Sequence, residues 1–232
     1  MNKTVVVHQP DFLPHLAFFH RFLSADCYIA LDNVQFVHSN RGWTHRDKIK
    51  TPRGAQWITV SVKRASRDAA INTIELSDTD WRADNLNLLR QNYRQAPYFE
   101  EIIAELEGLY ATQCTLLVDF TLASIRMLMR LMDTPIPIIL ASTLSPSGSK
   151  NELLVDLIRK VEGTHYLSGV GARDYFDPVP YAAADIDVRW QEFRHPVYPQ
   201  LHGEMVPFLS SVDVLFNCGV EKSRQILREA TA

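Results

Sequence analysis

Cysteine is scarce. The 232-residue chain has three, Cys27, Cys114 and Cys218, which are far apart, odd in number and without a CxxC pair. A disulfide framework is therefore not expected, and a reducing compartment, the cytoplasm by default, fits. Long apolar runs are absent too. A membrane span needs roughly 18 consecutive apolar residues, and the most hydrophobic stretch, Leu116 to Met132, is broken by Asp119, Arg126 and Arg130. Met1-Asn2-Lys3 runs directly into Thr4-Val5-Val6-Val7 without the apolar core of a secretory leader, so none is expected. There is no excess of positive charge: the net charge is −3, so nothing holds a polyanion by counterion release, and nucleic acid is not an expected partner.

Catalytic and ligand motifs are also missing. The GxSxG elbow, the GxGxxG fingerprint and the GxxxxGK[ST] order do not occur, which leaves hydrolase-triad, dinucleotide and Walker-type readings without support. The eight histidines include no HExxH. His15 and His20, five apart on an expected helix, stand about 140° apart around its axis, which makes joint ligation awkward. No metal site is predicted. Composition sets no oligomeric state.

With 46% hydrophobic and 22% charged residues, the chain has ample apolar surface to offset the entropy of folding. Lys3 to Val7 is apolar and β-branched on consecutive positions, the pattern of a strand covered on both faces. Helical spacing from His15 to Leu23 follows, and Cys27 to Leu31 is a second buried strand. A polar stretch runs from His38 to Gly54, and Gln56 to Val62 alternates as a strand. Trp81 to Met132 is helical, with breaks near Ala96-Pro97 and Thr112 to Thr115. Pro137 to Ala141 is another buried strand. Ser149-Lys150-Asn151-Glu152 matches a capping box, with Gly163 placed to end the helix behind it. His165 to Gly169 and Val188 to Phe193 complete the strands, and the tail from Val212 to Ala230 is helical with an interruption at Cys218-Gly219. The predicted fold is α/β: a mostly parallel sheet with helices on both faces and a helical block at about 81–132, in one domain spanning 1–232.

In open parallel sheets ligands bind beyond the carboxyl ends of the strands. Polar residues follow three predicted strands: His8-Gln9, then Asp32-Asn33 with Gln35, then Ser168-Gly169. If these ends share an edge, His8 is a candidate general acid/base or phosphate donor; the alternative is a histidine that hydrogen-bonds a neighbouring loop. Asp32 is a candidate to orient His8, to bind an amine or ribose hydroxyl, or to hold Mg2+, and equally an ordinary turn-starting aspartate. Between Arg41 and Arg53 five lysines and arginines, with His45, stand against Asp47, so an anion-binding loop with Arg46 and Lys48 foremost competes with a solvated one. Ser145 to Lys150 has the chemistry of a phosphate-holding loop at a helix start, with Lys150 as the cation. Tyr166, with Trp43 and Trp57, is a candidate cleft wall. Cys218 reads as a buried thiol, since no base adjoins it in sequence.

Val7-His8-Gln9-Pro10 with Leu13-Pro14, Leu31-Asp32-Asn33-Val34-Gln35-Phe36, Arg46-Asp47-Lys48-Ile49-Lys50, Tyr166-Leu167-Ser168-Gly169, Tyr198-Pro199-Gln200 and Ser211 to Gly219 together resemble the WbqC-like family, and they span nearly the whole chain. The family pattern has a tryptophan where His15 stands here. The resemblance implies a role in bacterial clusters for O-antigen and other surface polysaccharides, with transfer of glycine or another amino acid onto a sugar as one suggested chemistry. The architecture also resembles the HUP nucleotidyltransferase-like superfamily, although Gln9-Pro10-Asp11 replaces the rest of its HxGH element after His8.

The resulting expectation is an acyl or aminoacyl transferase acting on a small anionic or sugar-linked substrate. In it His8 is the general base, Asp32 orients it or binds the amine, and Gln9, Gln35, Arg46, Lys48, Lys150, Tyr166 and Ser168 bind substrate. That chemistry requires no cofactor. The alternatives are a nucleotidyltransferase using Mg2+ and a nucleoside triphosphate, and a noncatalytic module that binds a glycan precursor or partner.

Overall fold

In the computed structural model, residues 2–38 and 42–231 are described. The valine-rich start forms β1 (Thr4–His8), followed by the short helix α1 (Leu16–His20), a 3-10 turn (Arg21–Ser24) and β2 (Cys27–Ala30). Then come β3 (Arg46–Thr51) and β4 (Gly54–Thr59), the helices α2 (Trp81–Tyr93), α3 (Phe99–Tyr110) and α4 (Leu117–Met132), and β5 (Ile138–Leu140). The chain ends with α5 (Lys150–Lys160), β6 (His165–Ser168), α6 (Pro178–Ala183), β7 (Asp187–Trp190) and α7 (Ser211–Arg228).

Five strands pair in the order β5-β2-β1-β6-β7, every pair parallel. Counted along the chain within this sheet, that order is 3-2-1-4-5. Period-two alternation divides the sheet's side chains between two cores. Val6, Tyr28 and Ala30 join the larger one, which α1, α2, α3, α4 and α7 fill. Val5, Val7, Cys27 and Ile29 face the other, closed by Val155, Leu157 and Ile158 of α5 and Tyr181 of α6. Helices thus cover both faces, and those of 81–132 share a continuous core with β1 and β2. Each fully buried valine or isoleucine of these strands contributes about 1.5–3 kcal/mol relative to exposure. No helix among the described residues is long and apolar enough to cross a membrane.

Three local expectations differ from what is found. The polar stretch from His38 to Gly54 contains a strand: β3 pairs antiparallel with β4 in register Arg46 with Thr59 through Thr51 with Gly54. Charged residues disguised it, because Asp47 and Lys50 are buried along with Ile49. The Lys50 ammonium donates to the carbonyls of Gly203 and Glu204, so its burial is hydrogen-bonded. Arg41 lies outside the described residues. The capping box before α5 does not form either. Ser149 makes no side-chain cap; its carbonyl accepts from the amides of Glu152 and Leu153, at 3.1 and 3.4 Å. Finally, the left-handed residue after α5 is Glu162 (φ 57°), not Gly163.

Gly163 serves packing instead. A Cβ there would stand 2.6 Å from Val5 Cγ2 and 2.7 Å from Ile158 Cγ2, so only glycine lets the chain pass this close to β1. Gly163→Ala is expected to destabilise the protein by about 1–3 kcal/mol by overpacking. A denaturant midpoint indistinguishable from the parent's would show that the close approach carries no constraint.

Candidate functional site at the carboxyl edge of the sheet

Because all five strands are parallel, the residues after β1, β2 and β6 leave the sheet at one edge, and these three strands are neighbours. His8 ends β1, Asp32 follows β2, and Ser168 ends β6. Crossovers from β1 run to one side and those into β6 to the other, so the gap between β1 and β6 is the switch point at which open α/β sheets hold ligands.

The His8 side chain keeps 40% of its exposure, and its ring meets Phe18 edge-on at 5.5 Å. Its Nδ1 lies 3.0 Å from the Gln9 carbonyl oxygen. A carbonyl only accepts, so Nδ1 carries the hydrogen and Nε2 is left as a bare acceptor. Crowding by protein, reinforced by the Arg21 charge, pushes the imidazole from 6.5 down to about 3, so it is neutral at physiological pH. Asp11 Oδ2 stands 3.5 Å from the same Nδ1. Burial pushes this carboxyl from 3.8 up to about 7, against the pull of Arg21.

Arg21 sits in the turn after α1 and is only 5% exposed. Its guanidinium carbon lies 5.4 Å from the centre of the Phe18 ring, the ring that His8 also touches. Among the described residues it forms no salt bridge or hydrogen bond, and its Nε is buried without a partner. Across the rim, a Cβ placed on Gly169 would stand 4.0 Å from both Arg21 Nη1 and Gln191 Oε1. Gln191 is held there by its Nε2, which donates to the Ala17 carbonyl at 2.8 Å.

The remaining rim residues hold the frame. Tyr28 donates its hydroxyl to the carbonyls of His8 and Gln9, at 3.1 and 3.2 Å, which fixes the exit from β1. Asp32 is buried, and its carboxylate accepts from Ser142 N (2.9 Å), Ser142 Oγ (2.6 Å) and Asn72 Nδ2 (3.4 Å). It therefore ties the turn after β5 to the rim, and the carboxyl beside His8 is that of Asp11. Ser168 is buried and donates to the Tyr166 hydroxyl at 3.3 Å, while Tyr166 stacks on Tyr181 at 5.7 Å in the α5 and α6 core. Gln9 Oε1 accepts from Thr44 Oγ1 at 3.1 Å, and the Phe12 amide donates to the Trp43 carbonyl, so the β3–β4 hairpin is joined to the β1 exit.

On that hairpin Arg46 Cζ lies 4.2 Å from the Trp57 ring centre and Lys48 Nζ 4.9 Å, with Trp43 and Trp57 at 5.2 Å from each other. Gln35 is exposed, and its amide donates to the Arg67 carbonyl at 2.9 Å. Lys150 is exposed at the start of α5, in a loop that Asp156 closes by accepting from Ser147 N. Among the described residues no group of three or more His, Cys, Asp or Glu is placed to hold a metal ion.

Asp11 and Arg21 were absent from the sequence-derived set. The available signals were an aspartate three residues after His8 and an arginine inside the apolar run Phe18-Phe19-His20-Arg21-Phe22-Leu23. The raised Asp11 pKa makes a further prediction. Between about 4 and 7 the native state holds this proton more tightly than the unfolded chain, so the group's contribution to stability falls as pH rises through that window. Asp11→Asn removes that loss and is expected to raise stability at pH 8 by about 1–3 kcal/mol, the gain shrinking toward pH 4. Chemical denaturation at the two pH values checks this; a loss of stability at pH 8 would contradict it.

The fold and the edge together define a doubly wound parallel α/β protein whose switch point carries His8 and the buried Arg21 as a candidate site. The chain belongs to the WbqC-like protein family, which matches residues 9–225, a span that begins immediately after His8 and includes Asp11, Arg21, Asp32 and Ser168. It is 31% identical over 224 residues to the uncharacterized protein Rv1507c of Mycobacterium tuberculosis (strain ATCC 25618 / H37Rv), covering 94% of this chain and 95% of that protein. No solved structure matches the chain.

Proposed function

We propose that the protein is a transferase of bacterial surface-polysaccharide assembly that moves an acyl or aminoacyl group onto an amine or hydroxyl of an anionic or sugar-linked acceptor. The observation that carries this reading is His8 at the switch point, with Nδ1 committed to the Gln9 carbonyl and Nε2 free to take a proton. In the proposed step Nε2 accepts the acceptor's proton as its nitrogen or oxygen attacks the donor carbonyl. The imidazolium returns that proton to the leaving group as the tetrahedral adduct collapses. Asp11, beside Nδ1, takes the orienting role expected of Asp32 and offsets the transient charge on the ring. Gln9, Tyr166 and Ser168 are the proposed rim, and Arg46 and Lys48, on the hairpin that Thr44 joins to Gln9, are the proposed cations for the anionic part of the substrate.

The low proton affinity of His8 fits this role once substrate is present. A bound anion would cancel part of the Arg21 field that holds the imidazole down, so the base gains strength as the substrate arrives. A thermal-shift screen of aminoacyl and acyl donors, nucleotide sugars and nucleotides, followed by mass spectrometry of the products, tests the proposal. A ligand at 100 times its Kd adds about 2.7 kcal/mol of stability. A stabilising ligand whose acylated product appears only with active protein supports the reading; binding without any product would make the protein a noncatalytic module.

Nucleotidyl transfer is the second reading, favoured by the 3-2-1-4-5 strand order. Fold alone is a weak warrant for activity, and the described residues offer no donor cluster that fits Mg2+. Calorimetry with ATP, CTP and UTP plus Mg2+ discriminates: heat with one triphosphate, together with pyrophosphate release, would favour it over acyl transfer.

A further inference from the structure

Arg21 is only 5% exposed, its Nε is buried without a hydrogen-bond partner, and the one carboxylate whose field it feels, Asp11, makes no salt bridge to it. Taking a guanidinium out of water costs several kcal/mol unless charge and hydrogen bonds are returned to it. Proteins retain such an arrangement where something else supplies the counter-charge. Phe18 backs the guanidinium on one side. Gly169, just after β6, has no side chain, and the space its Cβ would take, a small hollow beside the guanidinium, lies 4.0 Å from Arg21 Nη1 and Gln191 Oε1. The carboxyl nearest in charge, Asp11, is placed at His8 Nδ1 and makes no salt bridge to Arg21.

We infer that Arg21 is the anchor for a carboxylate of the substrate, bound in the hollow beside Gly169. This rests on the reading of the β1–β6 edge as the substrate site, and it names the substrate class: a molecule carrying a free carboxylate that is not itself transformed, such as an amino acid or sugar acid serving as acceptor. Charge balance selects carboxylate over phosphate. With His8 neutral, a single negative charge satisfies Arg21, whereas a phosphate dianion would leave an uncompensated charge beside Asp11. The planar guanidinium fork also matches a carboxylate in two parallel hydrogen bonds. The carboxylate would sit where its acceptor group can reach His8, since both anchor and base lean on Phe18.

The test titrates the full chain with sodium acetate and, separately, with inorganic phosphate, at constant ionic strength with chloride as the control, following the backbone amides near Gly169 by NMR. Acetate is expected to bind saturably and more tightly than phosphate, and Arg21→Met to weaken acetate by at least about tenfold. Because removing a buried side chain can impair folding, Gly169→Val gives a second approach. It fills the hollow at an ordinary backbone conformation, φ −73°, and is expected to block acetate while preserving the far-ultraviolet circular dichroism spectrum. His8→Ala, which removes the proposed base, is expected to bind acetate like the parent, so failure of the transfer mechanism and failure of the anchor give different results. Unchanged acetate affinity in folded Arg21→Met or Gly169→Val, no saturable acetate binding by the parent, or phosphate binding tighter than acetate would each overturn the inference.

Discussion

His8→Ala is expected to lower turnover of an identified acceptor by about 10²- to 10⁴-fold, with KM changed far less, because general-base assistance contributes on that order. The substitution deletes the only imidazole that ends β1, while the features that shape the edge remain. Tyr28 still holds the His8 and Gln9 carbonyls, and Asp32 still holds Ser142. The partly exposed ring is expected to cost only about 1 kcal/mol of stability when removed, so loss of activity will not be loss of fold. The pH profile should separate this role from a merely structural one. With the free imidazole held near 3, an acid limb of kcat/KM near 7 should report Asp11, whose carboxyl burial pushes up to about 7, and should disappear in Asp11→Asn. Near-parental turnover in His8→Ala, with a demonstrated substrate, would remove the mechanism.

The second large effect concerns α7. Gly219 lies within it at φ 73°, ψ 173°, a region open essentially to glycine alone, and breaks the helix into two segments. The bend is packed: a Cβ on Gly219 would stand 2.5 Å from Tyr98 Cε1, and the Tyr98 amide donates to the Phe216 carbonyl at 3.2 Å. The first segment carries Asp213, buried and accepting from the Tyr93 hydroxyl at 2.6 Å, and the second returns Ile226 and Leu227 to the core. Gly219→Ala is expected to destabilise the protein by about 2–4 kcal/mol, combining backbone strain with the clash. Adding Tyr98→Ala should recover only the clash, because Tyr98 is 42% exposed and its ring can be spared, whereas the backbone conformation cannot. Full recovery in the double variant would show that the ring, not the backbone, is the constraint.

That glycine was legible in sequence as an interruption at Cys218-Gly219, and so were the sheet strands, whose β-branched runs announce burial on both faces. β3 was not. Its buried positions include Asp47, which accepts from the adjacent Lys48 amide, and Lys50, whose partners Gly203 and Glu204 sequence proximity does not reveal. Strand order was equally invisible: that β1 lies between β2 and β6 depends on crossovers, and only this order makes His8, Asp32 and Ser168 neighbours. Within the candidate site, His8 and Gln9 could be named because the strand ends on them. Asp32 was named for the same reason, yet its carboxylate is engaged with Ser142 and Asn72. Arg21 was hidden because its apolar neighbours read as core, and an arginine among them reads as a side chain reaching for water. That its guanidinium is buried without a salt bridge is visible only in three dimensions.

The most direct measurement is the nitrogen-15 spectrum of the imidazole side chains of the ligand-free chain, with His8 assigned by its loss in His8→Ala, recorded between about pH 5 and 8. A His8 ring that stays neutral throughout, hydrogen on Nδ1 and Nε2 bare, is the predicted result. A ring that titrates near 6.5, or that carries its hydrogen on Nε2, contradicts a poised base at the mouth of the β1–β6 gap.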